Sequence, residues 1–477
     1  MTPQYKTKEY PKLTTRHWLL LITSLGIAGL VCFGFGGFHP LPGIGMTAVV
    51  VTITGIAIGA IGKHARPKAS NITLILCGLL LSLCYALYAN PEMRLLNLPV
   101  MFGALLLGLY DLSGVFAHGI DSLHAVFQAL RQWFVDSFEH FLSPIRSASQ
   151  LRLSQPEHLK GLVIGLCSCI PLLIIVLPLL ASSDMVFSAR IQDMVQGFRL
   201  PEILSHVWRL ALTMFFGFML FSWLFSISLS PEPDIRHHKQ GTRLPSMSIV
   251  VMLTVLNLVY AVFVYIQINH LFGGAHHAAM SGGWAQYARK GFFELVFVSL
   301  INLSLTGISL RTARENILVR ILSWLILGMT SLILASAAWR MSHYVHAFGL
   351  SLLRLLTLWG MLAIIMILIG LALHLLRPIP RLFPALVSLV LGSWVALNLM
   401  GPVRLVSHWN AHAYKQGSIL HLDERYLANL SVDSLPALQK TLAPEQYQSA
   451  LHLLQQEEAP PWYAWSASWL ALDDGHK

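Results

Sequence analysis

Charge is what this sequence has least of. Asp, Glu, Lys and Arg make up 11% of its 477 residues, against about 25% in a soluble globular chain, too few to cover a water-facing surface of this size. Cysteine is sparse as well. Cys32, Cys77, Cys84, Cys167 and Cys169 all fall in or beside long apolar runs, and none is placed like a disulfide framework or a zinc finger. The sequence has no P-loop GxxxxGK[ST], no GxSxG and no kinase signature, which leaves an ATP-driven pump or a serine hydrolase without support. HExxH and CxxC are missing too. The 21 histidines include His343 and His346, and His408 and His412, at helical spacings, yet zinc wants three or four ligands in a defined geometry, so no metal and no cofactor is assigned. No internal repeat announces an inverted-repeat transporter.

What the chain does have is hydrophobic length. Apolar residues account for 55% of it, with a mean hydropathy of +0.63. They come in runs of roughly 18 to 25, long enough to cross about 30 Å of hydrocarbon at about 1.5 Å per helical residue. The expected fold is therefore all-α, a polytopic transmembrane bundle of about eleven spans, at about 17–36, 42–62, 70–89, 95–117, 159–181, 205–229, 246–272, 291–310, 317–338, 354–376 and 381–400. These divide the chain into a cytoplasmic segment 1–16, four helices over 17–117, an amphipathic cytoplasmic segment 118–158, helices five to eleven over 159–400, and an external helical tail 401–477. The first run lacks a small-residue cleavage site and reads as a retained helix. Gly55 and Gly59, four apart in the second run, suit close packing against another helix of the bundle.

The formal charge of +10 and pI near 9.4 do not point to nucleic acid. The 32 Lys and Arg residues lie mostly in short segments between apolar runs, where they act as topology determinants. Placing the N-terminus in the cytoplasm puts the larger share of them inside, including Lys6, Lys8, Lys12, Arg16, Lys63, Arg66, Lys68, Arg131, Arg146, Arg311 and Arg320. An odd number of spans then leaves the C-terminus external, in a multi-pass protein of the cytoplasmic membrane. Leu123, Phe127, Leu130, Phe134 and Phe138 recur at spacings of three and four and predict a helix lying along the interface. Residues 183–203 make an external connection. In the tail, Trp462, Trp465 and Trp469 share one helical face and are expected to dock onto the outer leaflet or the bundle.

Ionisable groups at membrane depth are costly and are the first candidates for function. The strongest cluster is WAQYARKGFFEL, with Tyr287, Arg289, Lys290 and Glu294, where Lys290 and Glu294 are helical neighbours. Arg340, Tyr344 and Arg354 lie in a connection on the same predicted side, so Glu294 is expected to pair with Arg340 or Arg354 across helices. Tyr287, Tyr344 and Gln267 are the candidate donors. Such a pair suits either a structural clamp or a substrate or ion site. Asp111 and Arg209 are further intramembrane charges, and Asn257, Asn269 and Asn302 are suited to hydrogen bonds between helices.

Five stretches carry a resemblance: LLASSDMVF at 179–187, VYIQINHLFGG at 264–274, WAQYARKGFFEL, RMSHYVHAFGLSLLR at 340–354 and LDERYLANLSVDSLPAL at 422–438. In these the chain resembles bacterial membrane proteins grouped as domain of unknown function 4173 and the related 4153, over roughly residues 160 to 440. The Asn-Pro-Asp of that family reads Gly401-Pro402-Val403 here. The resemblance implies membrane location and fold, and no catalytic residue. Two functions remain open. One is a non-enzymatic sensor, scaffold or regulator of the cell envelope, contacting membrane lipids and other envelope proteins through external loops and tail. The other is a secondary transporter or lipid-handling protein with a polar site around Glu294. For an intramembrane enzyme there is no nucleophile and base to nominate.

Overall fold

In hydrocarbon every backbone N–H and C=O must be bonded within its own segment, so long apolar runs fold as helices. The computed structural model describes residues 13–35, 42–116, 119–120, 123–150, 200–229, 245–273, 292–313, 315–419, 423–441, 444–455 and 461–469, and among these it is all-α. The helices are α1 (Thr15–Gly29, continued by a π-turn Leu30–Gly34), α2 (Ile44–Ile61), α3 (Ala69–Leu87), α4 (Pro91–Ser113), α5 (Leu123–Glu139), α6 (Ser143–Gln150), α7 (Leu200–Ser228), α8 (Ser246–Gly273), α9 (Phe292–Ala313), α10 (Ile317–Phe348), α11 (Leu352–Leu376) and α12 (Leu382–Met400). Shorter helices follow in the tail: α13 (Pro402–Lys415), α14 (Glu424–Leu430), α15 (Leu435–Thr441) and α16 (Pro444–Gln455).

Nine helices among the described residues are long and apolar enough to cross a membrane: Thr15–Gly34, Ile44–His64, Ala69–Leu87, Pro91–Ser113, Leu204–Ser228, Ser246–Ile266, Ile317–His346, Leu352–Leu376 and Leu382–Met400. Each coincides with an expected span. The span expected at 159–181 and most of the 183–203 connection lie outside the described residues, and the one at 291–310 is α9, whose described apolar part runs over Val296–Leu310. Large apolar side chains stand outward along these helices, for example Leu95 at 61%, Leu258 at 64% and Tyr265 at 70% exposure. A soluble surface does not carry apolar area on that scale, whereas acyl chains cover it. The chain is a multi-pass membrane protein.

Two compact units divide the fold, one of residues 1–39, 59–62 and 130–230, the other of 40–58, 63–129 and 231–477. In the first, α1 packs along α7. Leu25 rests against Gly217, and His17 and His140 both meet the edge of the buried Phe225 ring, with centroids 4.7 and 4.9 Å away. The Ser222 hydroxyl bonds the carbonyl of Asp136 and receives the His140 N–H at 3.0 Å. Helix α5 forms where the spacing predicts a helix, and Phe127, Leu130, Phe134 and Phe138 are all exposed along it.

In the second unit α3 pairs with α4 and α12, α12 with α11, α11 with α9 and α10, and α10 with α8 and α9. One hydrophobic core runs through this row from Leu81 and Tyr85 to Leu334, Leu371 and Trp394. Two of the three expected asparagines bind neighbouring helices, Asn257 Nδ2 donating to Leu322 O at 3.2 Å and Asn302 Nδ2 to Thr330 Oγ1 at 3.0 Å, while the side chain of Asn269 lies outside the described residues. Two expectations are corrected. Around Gly55 and Gly59 no described atom approaches within 4 Å of an added Cβ, so among the described residues they make no close helix contact. Pro461 opens a turn that leads into a 3-10 turn at Ala467–Trp469, so the three tryptophans do not share a helical face. Trp462 is exposed while Trp465 and Trp469 are half-buried, Trp469 against the cluster of Val432, Leu435 and Leu451.

Candidate functional site at the tail-capped end of the second unit

The tail folds back over one end of the second unit, where α3, α10 and α12 finish and α4 and α11 begin. It is held there by polar groups. Asn90 caps α4, its Oδ1 accepting from Met93 N at 2.8 Å, and Pro91 occupies the first helical turn, where a missing N–H costs nothing. This cap leaves the Ala89 and Asn90 N–H groups pointing out of the α3–α4 turn. Asp433, 2% exposed, takes both on Oδ2, at 3.0 and 3.1 Å, together with the hydroxyl of Ser431 at 2.6 Å. Its other oxygen meets Ser468, whose hydroxyl also lies 2.8 Å from the Leu87 carbonyl. Asn90 Nδ2 returns a bond to Leu430 O at 2.7 Å. A carboxylate so enclosed needs this many donors to offset its lost hydration.

Arg94 makes the second clamp. Its buried guanidinium donates to Tyr88 O at 3.1 Å, to Tyr85 O at 3.0 Å and to Ala464 O at 3.4 Å, so it ties the far tail to the end of α3. The N-terminus of α2 is closed in the same way: Gly43 N donates to Tyr463 O at 2.7 Å and Ile44 N to Trp465 O at 2.9 Å. Beneath these, Asn97 Nδ2 donates to Asn398 Oδ1 at 2.7 Å, Asn97 Oδ1 accepts from Trp394 Nε1 at 2.9 Å, and Asn398 Nδ2 donates to Trp394 O at 2.9 Å. The cavity between Arg94, Asn97, Asn398 and Asp433 measures about 10 Å³, at the lower limit for one water. This layer has no room for a ligand larger than about one water.

Beside it lies a larger cleft of about 260 Å³, formed by the α10–α11 turn, α13 and α14. The turn is tightly bound. Gly349 has φ +76°, Asn410 accepts from Leu350 N at 2.8 Å and donates to Leu350 O at 2.6 Å, and the Tyr426 hydroxyl accepts from Leu352 N at 2.9 Å. Burial pushes the Tyr426 phenol above its ordinary 10.0 despite the N–H it accepts, and the negative charge of Glu92 adds to the rise. Arg354 stacks over the Tyr344 ring at 4.1 Å and donates through Nη1 to Phe348 O at 2.9 Å and to Gly349 O.

Of the residues nominated from sequence, the structure brings Tyr344 and Arg354 together and places Arg340 one helical turn before Tyr344 on α10. Tyr287, Arg289 and Lys290 lie outside the described residues, as do the side chains of Glu294 on α9 and Gln267 on α8, and with them the expected Glu294 pairing. Asp111, fully buried, is two residues from the end of α4, where Lys68 Nζ pairs with it at 3.0 Å and Asn71 Nδ2 donates at 3.2 Å. Arg209 stands half-buried on α7, its carbonyl accepting from Thr213 at 2.8 Å. Sequence reasoning missed Asp433, Arg94, Asn398 and Asn410. Asp433 lies in one of the stretches that carry the resemblance, whereas Arg94 directly precedes the expected span 95–117, and no residue near it in sequence signals its partners.

Residues 75–441 match the family described as Domain of unknown function (DUF4153). The match corrects the sequence reading twice. It falls on the second of the two groups named, and it begins inside α3, well before residue 160, so the α3–α4 hairpin that receives Asp433 belongs to the shared region. No curated protein and no solved structure matches the chain.

Proposed function

The chain belongs to the DUF4153 family, and on that premise we propose that it is a non-enzymatic sensor, scaffold or regulator in the cell envelope whose tail-capped end is its interaction face. One observation carries this reading: the tail is built into the helix ends through the enclosed Asp433 carboxylate. A flexible appendage would sample many poses, while a tail bonded at both Asp433 and Ala464 presents a single surface, as recognition with low ordering cost requires. Support also comes from where the described polar groups lie. Asp111 is closed off by Lys68 and Asn71 near a helix end, and Arg354 sits in a turn, whereas a transporter needs its charges around a cavity near the bilayer midplane. By the charge pattern, this end faces away from the cytoplasm.

Photo-crosslinking in native membranes tests the proposal. A crosslinker at Trp462, exposed on the tail, is expected to give a discrete protein adduct that is lost in D433A, while one at Lys63, outside the tail, gives none. Equal adducts from both positions, or substrate flux through the purified protein in proteoliposomes, would overturn it.

A further inference from the structure

The 260 Å³ cleft has far more room than the roughly 10–15 Å³ that one water needs. It lies where a span ending at His346 turns into one starting at Leu352, which is the depth of lipid headgroups. Its cation is held in a fixed pose: Nη1 of Arg354 is taken by two carbonyls and its plane by the Tyr344 ring. Its Nε and Nη2 have no partner among the described residues, and a guanidinium edge of this kind matches two oxygens of a phosphate. The N-terminus of α11 does not supply the anion site, because Leu352 N is already bonded to Tyr426 and Arg354 N to Ser351 Oγ at 3.4 Å.

Across the cleft stands Asp423. One of its oxygens caps α14 by accepting Tyr426 N at 2.9 Å, and the carboxylate remains exposed. Among the described residues Arg354 and Asp423 form no ion pair with each other, although both line the same space. Opposite charges held apart in one cleft suit a ligand that carries both. The rest of the wall includes Phe348, Leu350 and Leu427, apolar surface that would meet the start of the acyl chains.

We infer that this cleft binds the headgroup of a zwitterionic phospholipid, with the phosphate on the Arg354 guanidinium and the ammonium on the Asp423 carboxylate. An anionic lipid without an amine meets the same Arg354 but is repelled by Asp423, so the site selects for the zwitterion. This goes beyond the scaffold reading and does not depend on it, since lipid preference and protein adducts are measured separately.

Native mass spectrometry of the full chain in detergent, titrated with phosphatidylethanolamine and phosphatidylglycerol of identical acyl composition, tests it. Wild type is expected to retain phosphatidylethanolamine preferentially, with soluble phosphoethanolamine displacing it. R354Q weakens retention by about tenfold or more, the usual weight of hydrogen bonds to a charged group. That variant also loses bonds within its own turn, so D423N is the decisive one: asparagine still caps α14, and the preference between the two lipids should vanish while melting is unchanged. Equal retention of both lipids by wild type, or an undiminished preference in a folded D423N, would refute the site.

Discussion

At the scale of single residues, the described structure places its buried charges at helix ends and gives each a different kind of partner. Asp433 is served by backbone N–H groups and hydroxyls, so D433A strands the Ala89 and Asn90 donors at roughly 1–3 kcal/mol apiece. Asparagine keeps one acceptor. D433A is therefore expected to lower the melting temperature of the detergent-solubilised protein more than D433N does, and to open the tail segment 461–469 to limited proteolysis. The Asp111 pair is asymmetric, its carboxylate fully buried and its Lys68 side chain 41% exposed. Removing the lysine leaves a charge in the interior, whereas D111N leaves a neutral group that Asn71 still reaches. K68M should destabilise by about 1–3 kcal/mol and by more than D111N, as thermal melts of the two variants would register.

At the scale of elements, the tail is held by polar groups at helix ends as well as by buried apolar side chains such as Val406, Leu427 and Leu438. The α2 terminus has free N–H donors by geometry, and the carbonyls of Tyr463 and Trp465 fill them. The approach is close enough that a Cβ on residue 43 would collide with the backbone carbonyls of Ala464 and Trp465. Neither carbonyl is the end of a flexible side chain, so the collision is relieved only by undocking. G43A is expected to free the segment 461–469, seen as faster hydrogen exchange at its amides and at Gly43 and Ile44, with the exchange of α8 and α10 unchanged. Glycine is equally required at 349, where φ is +76° and a Cβ would stand 2.7 Å from Asn410 Oδ1.

At the scale of the whole molecule, the ends of the second unit that carry the tail are those that the distribution of Lys and Arg assigns outside the cytoplasm. The prediction at this scale concerns compartments. Reporters fused at the N-terminus and after residue 477 should sit on opposite sides of the membrane, and one inserted at residue 65, in the α2–α3 connection, should agree with the N-terminal one. Readouts of enzymatic reporters active on only one side would show this, and a shared side for the two termini would reverse the topology.

Much of this was legible in the residues alone. Hydrophobic length determined the membrane class and the position of each described span, because the cost of leaving backbone groups unbonded in lipid allows a twenty-residue apolar run little choice but a helix. Periodicity likewise determined the exposed stripe of α5, a property of one helix by itself. Partnership was another matter. That Asp433 closes a turn 343 residues away at Asn90, that Lys68 rather than another helix's arginine neutralises Asp111, and that Arg354 and Asp423 face one cleft without joining depend on which helix ends the fold gathers. Polar partnership at those ends depends on distances of about 3 Å, and these only the tertiary structure decided.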